Sequence, residues 1–256
     1  MIMLYFSGTG NSKYIAGQFC RHMDAECYSI EENLDFDAMI TGEETIGFCY
    51  PVFFSRPPRI MREFAIKHME ALKGKKLILF CTQLILSGDA ARSFMDMFPP
   101  GHAEVLYAEH FFMPNNVTNY WFLPDALISD KKVLKITARA DRKMLTVCRD
   151  IKAGKVKKRG FNPISRALGL IQAALLPGTE RKAAAPNAIR IKNGCTNCGI
   201  CAAVCPMGNL NSDSGKIEHR HNCTLCYRCI NKCPQKAITA VFHGKVKKQY
   251  LFGSRR

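Results

Sequence analysis

The sequence predicts an α/β protein in two parts: a doubly wound, parallel, five-stranded sheet ordered 2-1-3-4-5, followed by a small α+β module. Three observations carry this. Apolar strands alternate with helical segments through the first 150 residues. A run of hydroxyls and glycines, Ser7 to Ser12, joins the first strand to the first helix. Eight of the 13 cysteines lie between positions 195 and 233.

In the first part, strands are expected at 1–6, 25–30, 45–50, 76–81 and 104–111. Helices are expected at 13–22, 58–69, 90–97 and 131–151. The domain plan assigns residues 1–151 to the sheet domain and 152–187 to a basic linker with one short docking helix. Residues 188–244 form the cysteine module, and 245–256 a basic, mobile tail.

A hydrophobic content of 47% with 23% charged residues is that of a globular protein, which excludes a disordered or fibrous chain. The longest apolar stretch, Ala167 to Leu176, is about half of the roughly 20 residues a spanning helix needs, so no transmembrane segment is expected. The N-terminus lacks a basic region and a small-residue cleavage site, and a cytoplasmic location follows as the expectation. Clustered cysteines in such a compartment hold metal or do redox chemistry rather than form disulfides.

Charge is segregated along the chain. Residues 1–151 carry 17 basic and 18 acidic side chains, 152–192 carry 10 and 1, 193–244 carry 5 and 2, and the tail carries 5 and 0. All the basicity of this +16 chain therefore lies outside the sheet domain.

The loop Ser7-Gly8-Thr9-Gly10-Asn11-Ser12 opens onto a helix N-terminus, where backbone N–H groups and the helix dipole favour an anion. It has neither the GKS of a triphosphatase nor GxGxxG, so a monophosphate fits best. The plain structural alternative is a helix-capping turn in a scaffold without a cofactor, since Ser, Thr and Asn are common caps.

Cys195, Cys198, Cys201 and Cys205, followed by Pro206, spell CxxCxxCxxxCP, and Cys223, Cys226, Cys229 and Cys233 with Pro234 repeat it. This is the bacterial two-cluster ferredoxin pattern, in which the fourth cysteine of each run serves the other cluster. It assigns Cys195, Cys198, Cys201 and Cys233 to one 4Fe-4S cubane and Cys223, Cys226, Cys229 and Cys205 to the other. Two zinc sites are the alternative metal reading, although zinc ribbons space their CxxC pairs far apart. His219 and His221 flank the second run, but eight thiolates already satisfy two cubanes. Cys49 and Cys81 are expected as small apolar fillers at strand ends.

The segment YFSGTGNSKYIA resembles the phosphate loop of flavodoxin, S/TxTGxT/S at the end of the first strand. With the cysteine runs, the whole chain is similar to the fused flavodoxin-domain ferredoxins found mostly in anaerobic bacteria and archaea. The resemblance implies FMN, with its phosphate on Ser7, Thr9, Gly10, Asn11 and Ser12. Its flavin ring would lie between the loops that begin at Pro51 and Thr82, with Phe53 stacking on it. The family usually has a glycine-rich turn early in the second loop, where this chain has Thr82-Gln83-Leu84-Ile85-Leu86-Ser87-Gly88.

Residues 152–192 hold the run Lys155-Val156-Lys157-Lys158-Arg159, then an apolar helix from Ser165 to Leu176 ended by Pro177-Gly178. Ile164, Leu168, Ile171, Leu175 and Leu176 lie at helical spacing, so that face is expected to dock within the chain and the charge run to be solvated. Docking on an acidic redox partner and peripheral contact with an anionic membrane are the lesser readings. No nucleic-acid motif accompanies the charge.

An electron-transfer flavo-iron-sulfur protein is the expected function, its partners other redox proteins. Alternatives are a flavin-free carrier with a docking scaffold and an FMN/4Fe-4S oxidoreductase acting on its own substrate. No general acid, base or nucleophile constellation marks a catalytic residue.

Overall fold

The computed structural model describes residues 1–53, 55–84, 88–119, 129–175, 188–212, 215–241 and 243–253. Phe54 of the loop that begins at Pro51 lies outside the described residues, as do Ile85, Leu86, Ser87, Leu176, Pro177, Gly178 and the side chain of Leu175, named above. Two compact units divide the chain: Met1–Ser7, Asn11–Met113 and Leu134–Leu176 form the first, and Gly8–Gly10, Pro114–Val133 and Pro177–Arg256 the second.

The first unit is built on β1 (Ile2–Tyr5), β2 (Glu26–Ser29), β3 (Thr45–Pro51), β4 (Lys76–Gln83), β5 (Glu104–Phe112) and β6 (Lys157–Lys158). All pairings are parallel, in the order 2-1-3-4-5-6. The expected sheet thus gains a sixth strand. Central strands β1, β3 and β4 are buried almost throughout, as strands covered by helices on both faces must be. Helices α1 (Asn11–Met23), α2 (Phe36–Thr41), α3 (Arg59–Lys67), α4 (Met69–Leu72), α5 (Ala90–Met95), α6 (Asp130–Lys152) and α7 (Pro163–Leu175) accompany the strands. Phe19 meets Phe80 edge-on at 5.0 Å between ring centroids, and Phe80 meets Phe111 at 5.4 Å.

The strand β6 has a specific cause. Glu109 on β5 is 1% exposed, and its carboxylate pairs with Lys143 at 2.8 Å, Lys157 at 2.7 Å and Arg159 at 3.1 Å. Burial alone would push this carboxyl up, but hydrogen bonds and charge from Lys143 and Lys157 hold it at about 2. Two cations of the basic run, 49% and 48% exposed in their side chains, are therefore solvated and at the same time partners of a buried charge, and they draw the chain alongside β5.

The expected linker divides: residues 152–176 belong with the first unit. Asn162 caps α7 by accepting from Ser165 N at 2.8 Å, and Pro163 takes the first helical position. Of the face expected to dock, Leu168 is half-buried but Ile164 and Ile171 are not packed. Ile164 is 75% exposed and Ile171 51% exposed, with Leu170 at 63%. The contact side is Gly169 and Gln172: a Cβ on Gly169 would lie 1.9 Å from Asp89 Oδ1, and Ser55 Oγ donates to Gln172 Oε1.

The second unit carries an internal repeat offset by 28 residues, the separation of Cys195 from Cys223. Strands β7 (Ile189–Ile191), β8 (Leu210–Asn211), β9 (Glu218–His219) and β10 (Ile238–Ala240) form two antiparallel pairs, β7 with β10 and β8 with β9. Adding the offset to the pairing of Leu210 with His219 gives Ile238, and subtracting it gives Ile191, which are themselves paired. Short helices α8 (Ile200–Ala203) and α9 (Arg228–Lys232) are related in the same way. Left-handed backbone recurs at the offset: Asn197 with Leu225, Gly199 with Tyr227, Gly208 with Lys236 and Gly215 with His243.

The tail is packed rather than mobile through Gly253. Val246 and Tyr250 are buried, and Gln249 Nε2 donates to Ile230 O at 2.8 Å and Cys233 O at 2.7 Å. Asn231, 3% exposed, accepts from Tyr250 N and Thr118 Oγ1 and donates to Asn116 O and Tyr227 O. Such a buried amide with all its capacity used fixes three segments at once. The composition of the tail, five cations in 12 residues, hid these two apolar anchors.

Candidate cofactor sites

The cysteine runs fold around two small cavities. The smaller is lined by Cys195, Cys198, Cys201 and Cys233, with Ile217, Pro234 and Ile238. The larger is lined by Cys223, Cys226, Cys229 and Cys205, with Ile189, Pro206 and Leu210. Three thiols of one run and the fourth of the other therefore face each space. The apolar walls also match through the repeat, Ile189 with Ile217, Pro206 with Pro234 and Leu210 with Ile238.

Backbone amides point at the sulfurs in the same repeating way. Asn197 N donates to Cys195 Sγ at 3.4 Å and Leu225 N to Cys223 Sγ at 3.3 Å. Asn209 N donates to Cys205 Sγ at 3.2 Å and Ala237 N to Cys233 Sγ at 3.3 Å. The left-handed backbone at Asn197 and Leu225 turns those amides inward. Burial first, then the charges of Cys226, Cys223 and Cys205, push the Cys229 thiol well above its ordinary range. Four thiols lining one space would ionise together only around a cationic core, which the irons of a cubane would supply. The donor set is thus all sulfur, four per cavity, with N–H bonds that favour the anionic form.

His219 and His221 sit beside each other, with 3.0 Å between their Nδ1 atoms. Neither lines a cysteine cavity.

The hydroxyl loop lies between β1 and α1, which begins at Asn11. Ser12 and Thr9 are 1% and 4% exposed, and Asn11 is also buried. Ser12 Oγ and Thr82 Oγ1 are 2.8 Å apart, which ties the loop to the end of β4. Thr9 Oγ1 is buried with no hydrogen-bond partner among the described residues. A buried hydroxyl left without a partner costs about 1–3 kcal/mol, so this orphan fits a loop that completes its bonding with an anion. Gly10 has φ 102°, a left-handed conformation that favours glycine. Gly8 is required by space: a Cβ there would lie 2.1 Å from Cys226 O. Ser7 is half-buried.

Pro51 and Thr82 are register partners on β3 and β4, and Val52 N donates to Thr82 O at 2.9 Å. Phe53 is half-buried and exchanges both backbone hydrogen bonds with Arg56 across a tight turn. Ser55 in that turn has φ 61° and is 2% exposed. The structure thus brings Ser12 and Thr82 into contact and sets Pro51 beside Thr82. Sequence reasoning missed Ser55, Gly88 and Gln172, which pack together where α7 meets the two loops. Only the unusual Gly169 within an apolar helix signalled a close approach there. Cys49 and Cys81 are fully buried, and burial pushes the Cys81 thiol up to about 12. That keeps it protonated and inert.

Residues 2–118 match the model of a flavodoxin domain and residues 194–238 that of a 4Fe-4S dicluster domain. No curated protein matches the chain. Among solved structures, Megasphaera elsdenii flavodoxin in its two-electron reduced form is 20% identical, with 56% of this chain and 99% of that chain covered and a TM-score of 0.37. General stress protein 14 of Treponema denticola, in complex with FMN, is 13% identical, with 59% and 97% covered and a TM-score of 0.41. A flavoprotein of Lactobacillus acidophilus, in complex with FMN, is 13% identical, with 43% and 91% covered and a TM-score of 0.36.

Proposed function

Because the chain joins a flavodoxin domain to a 4Fe-4S dicluster domain, the arrangement of the fused flavodoxin-domain ferredoxins, we propose that this FMN and iron-sulfur electron-transfer protein passes single electrons between FMN and two clusters. FMN exchanges electrons in ones or twos and a 4Fe-4S cluster in ones, so the pair couples hydride-level donors to one-electron acceptors.

The observation that carries the reading is the pair of cavities, each with four thiols drawn from both cysteine runs. Cys195, Cys198, Cys201 and Cys233 would hold one cluster, and Cys205, Cys223, Cys226 and Cys229 the other. The amides of Asn197, Asn209, Leu225 and Ala237 stabilise anionic sulfur, and the isoleucine walls exclude water; both tune potential. In the loop, Thr9 would donate its orphan hydroxyl to the FMN phosphate, with Ser7, Gly10, Asn11 and Ser12 around it. Pro51, Phe53 and Thr82 would border the ring.

The test is anaerobic reconstitution of the full chain with iron, sulfide and FMN, followed by a redox titration that reads flavin and cluster absorbance separately. The proposal expects FMN fluorescence to be quenched at micromolar protein and both chromophores to equilibrate on reduction through either one. Cluster loading without flavin quenching would instead make the chain a flavin-free carrier. Consumption of a substrate with no added acceptor would make it an oxidoreductase of its own.

A further inference from the structure

Helix α7 presents an apolar arc outward, the reverse of an ordinary surface helix. Ile164, Ala167, Ile171 and Ala174 follow one another at three- and four-residue steps, Leu170 lies beside them, and all five are exposed. The three large side chains are 75%, 51% and 63% exposed for Ile164, Ile171 and Leu170 respectively. The helix is not free to roll this arc inward. Its opposite side is held by the backbone of Gly169 against Asp89 and Gly88, and by Gln172 accepting from Ser55 Oγ.

Along the sequence the charge that flanks α7 has one sign, while the half-buried Asp89 lies on the held side of the helix. Between Asp150 and Glu180 the sequence holds Lys152, Lys155, Lys157, Lys158, Arg159 and Arg166 and no acidic residue. Lys157 and Arg159 pair with Glu109 while staying about half exposed, and Lys158 and Arg166 are exposed too, Arg166 on the edge of the arc itself. Val156, 60% exposed, adds an apolar side chain within the basic run. A second copy of the chain would bring like charges together. A protein groove would be met through aromatic or arginine anchors, whereas this arc is convex and aliphatic with one Arg at its rim. Apolar area plus basic residues at its border is what an interfacial helix lays on anionic lipid.

We propose that the outward arc of α7 is a docking surface for an anionic phospholipid bilayer, on which the protein rests peripherally. No helix among the described residues is long and apolar enough to cross a membrane, so the contact is at the surface. The inference does not depend on flavin binding.

The test is co-sedimentation of the cluster-loaded full chain with vesicles of pure phosphatidylcholine and with vesicles one-third phosphatidylglycerol. The proposal expects binding to the anionic vesicles alone, weakened by salt. It expects the double variant Leu170→Glu, Ile171→Glu to lose about a hundredfold in partition, from two aliphatic side chains withdrawn from lipid. Both sites are exposed, so the variant should keep its cluster absorbance and melting midpoint. No binding to anionic vesicles overturns the proposal, as does binding that survives in the variant, which would assign it to the basic tail. A dimer in solution that the variant disperses, or retention on immobilised polyglutamate without vesicle binding, also overturns it in favour of a second copy or an acidic protein.

Discussion

Replacing Cys233 by alanine tests the crossed arrangement of thiols directly. Cys233 belongs to the second run in sequence, yet it faces the cavity of Cys195, Cys198 and Cys201. The substitution removes one of four sulfurs there and leaves Ala237 N–H, which donates to that sulfur at 3.3 Å, without its acceptor. The cavity of Cys205, Cys223, Cys226 and Cys229 keeps all four. Anaerobically reconstituted Cys233→Ala should therefore hold about four irons and four sulfides in place of about eight of each, with visible absorbance reduced by about half. Adding Cys195→Ala should cost nothing further, because both changes strike one cavity. Adding Cys223→Ala should empty the chain. Iron and sulfide assays on the two double variants decide the matter by their non-additivity. If the Cys233, Cys223 pair retained one cluster while the Cys233, Cys195 pair retained none, each run would serve its own cluster and the crossed arrangement would be wrong. Complete loss in the single variant would refute the independence of the two cavities.

Thr9→Val should weaken FMN binding by about tenfold or more, the worth of a hydroxyl bond to a charged acceptor at ~1.5–3 kcal/mol, without lowering stability. Fluorescence titration and thermal melting read the two; a destabilised variant with normal affinity would mean the hydroxyl is structural. Glu109→Gln should cost about 3 kcal/mol at pH 7, because a carboxyl held at about 2 against an ordinary 4.5 contributes that much when ionised. This group is depressed in the folded state, so its contribution is present above pH 4.5 and lost as pH falls toward 2; urea denaturation of wild type and variant should converge over that interval. Lys236→Gly should add about 0.5–1 kcal/mol, since Lys236 sits at φ 51° where its repeat partner is Gly208. An unchanged or lower melting midpoint would count against strain at that position.

Five strands, their parallel order and all eight cysteines were legible because each rests on a local pattern: apolar runs of strand length, or ligand spacing fixed by cluster chemistry. The elements that escaped depend on single long-range partners. Lys157 and Arg159 read as solvated charge until Glu109, some 50 positions earlier, is placed between them. The apolar face of α7 read as inward by periodicity, which reports that a helix has two faces but not which one meets the protein; Gly169 and Gln172 decided that. Val246 and Tyr250 were too few to outweigh the lysines around them, and their partner Asn231 gave no pattern of its own. In the hydroxyl loop the residue types were plain, whereas the unsatisfied state of Thr9 appears only once its neighbours are in place.

The two lysines of β6 also finish the sheet. Without them β5, nine residues long and largely apolar, would present its backbone to any extended chain in solution. A border strand of two exposed, charged residues leaves too little ladder for a stranger to extend, and β2 on the opposite side is only four residues long with Glu26 outward. The same ion pairs that neutralise Glu109 thereby guard a concentrated or newly synthesised chain against sheet-to-sheet aggregation.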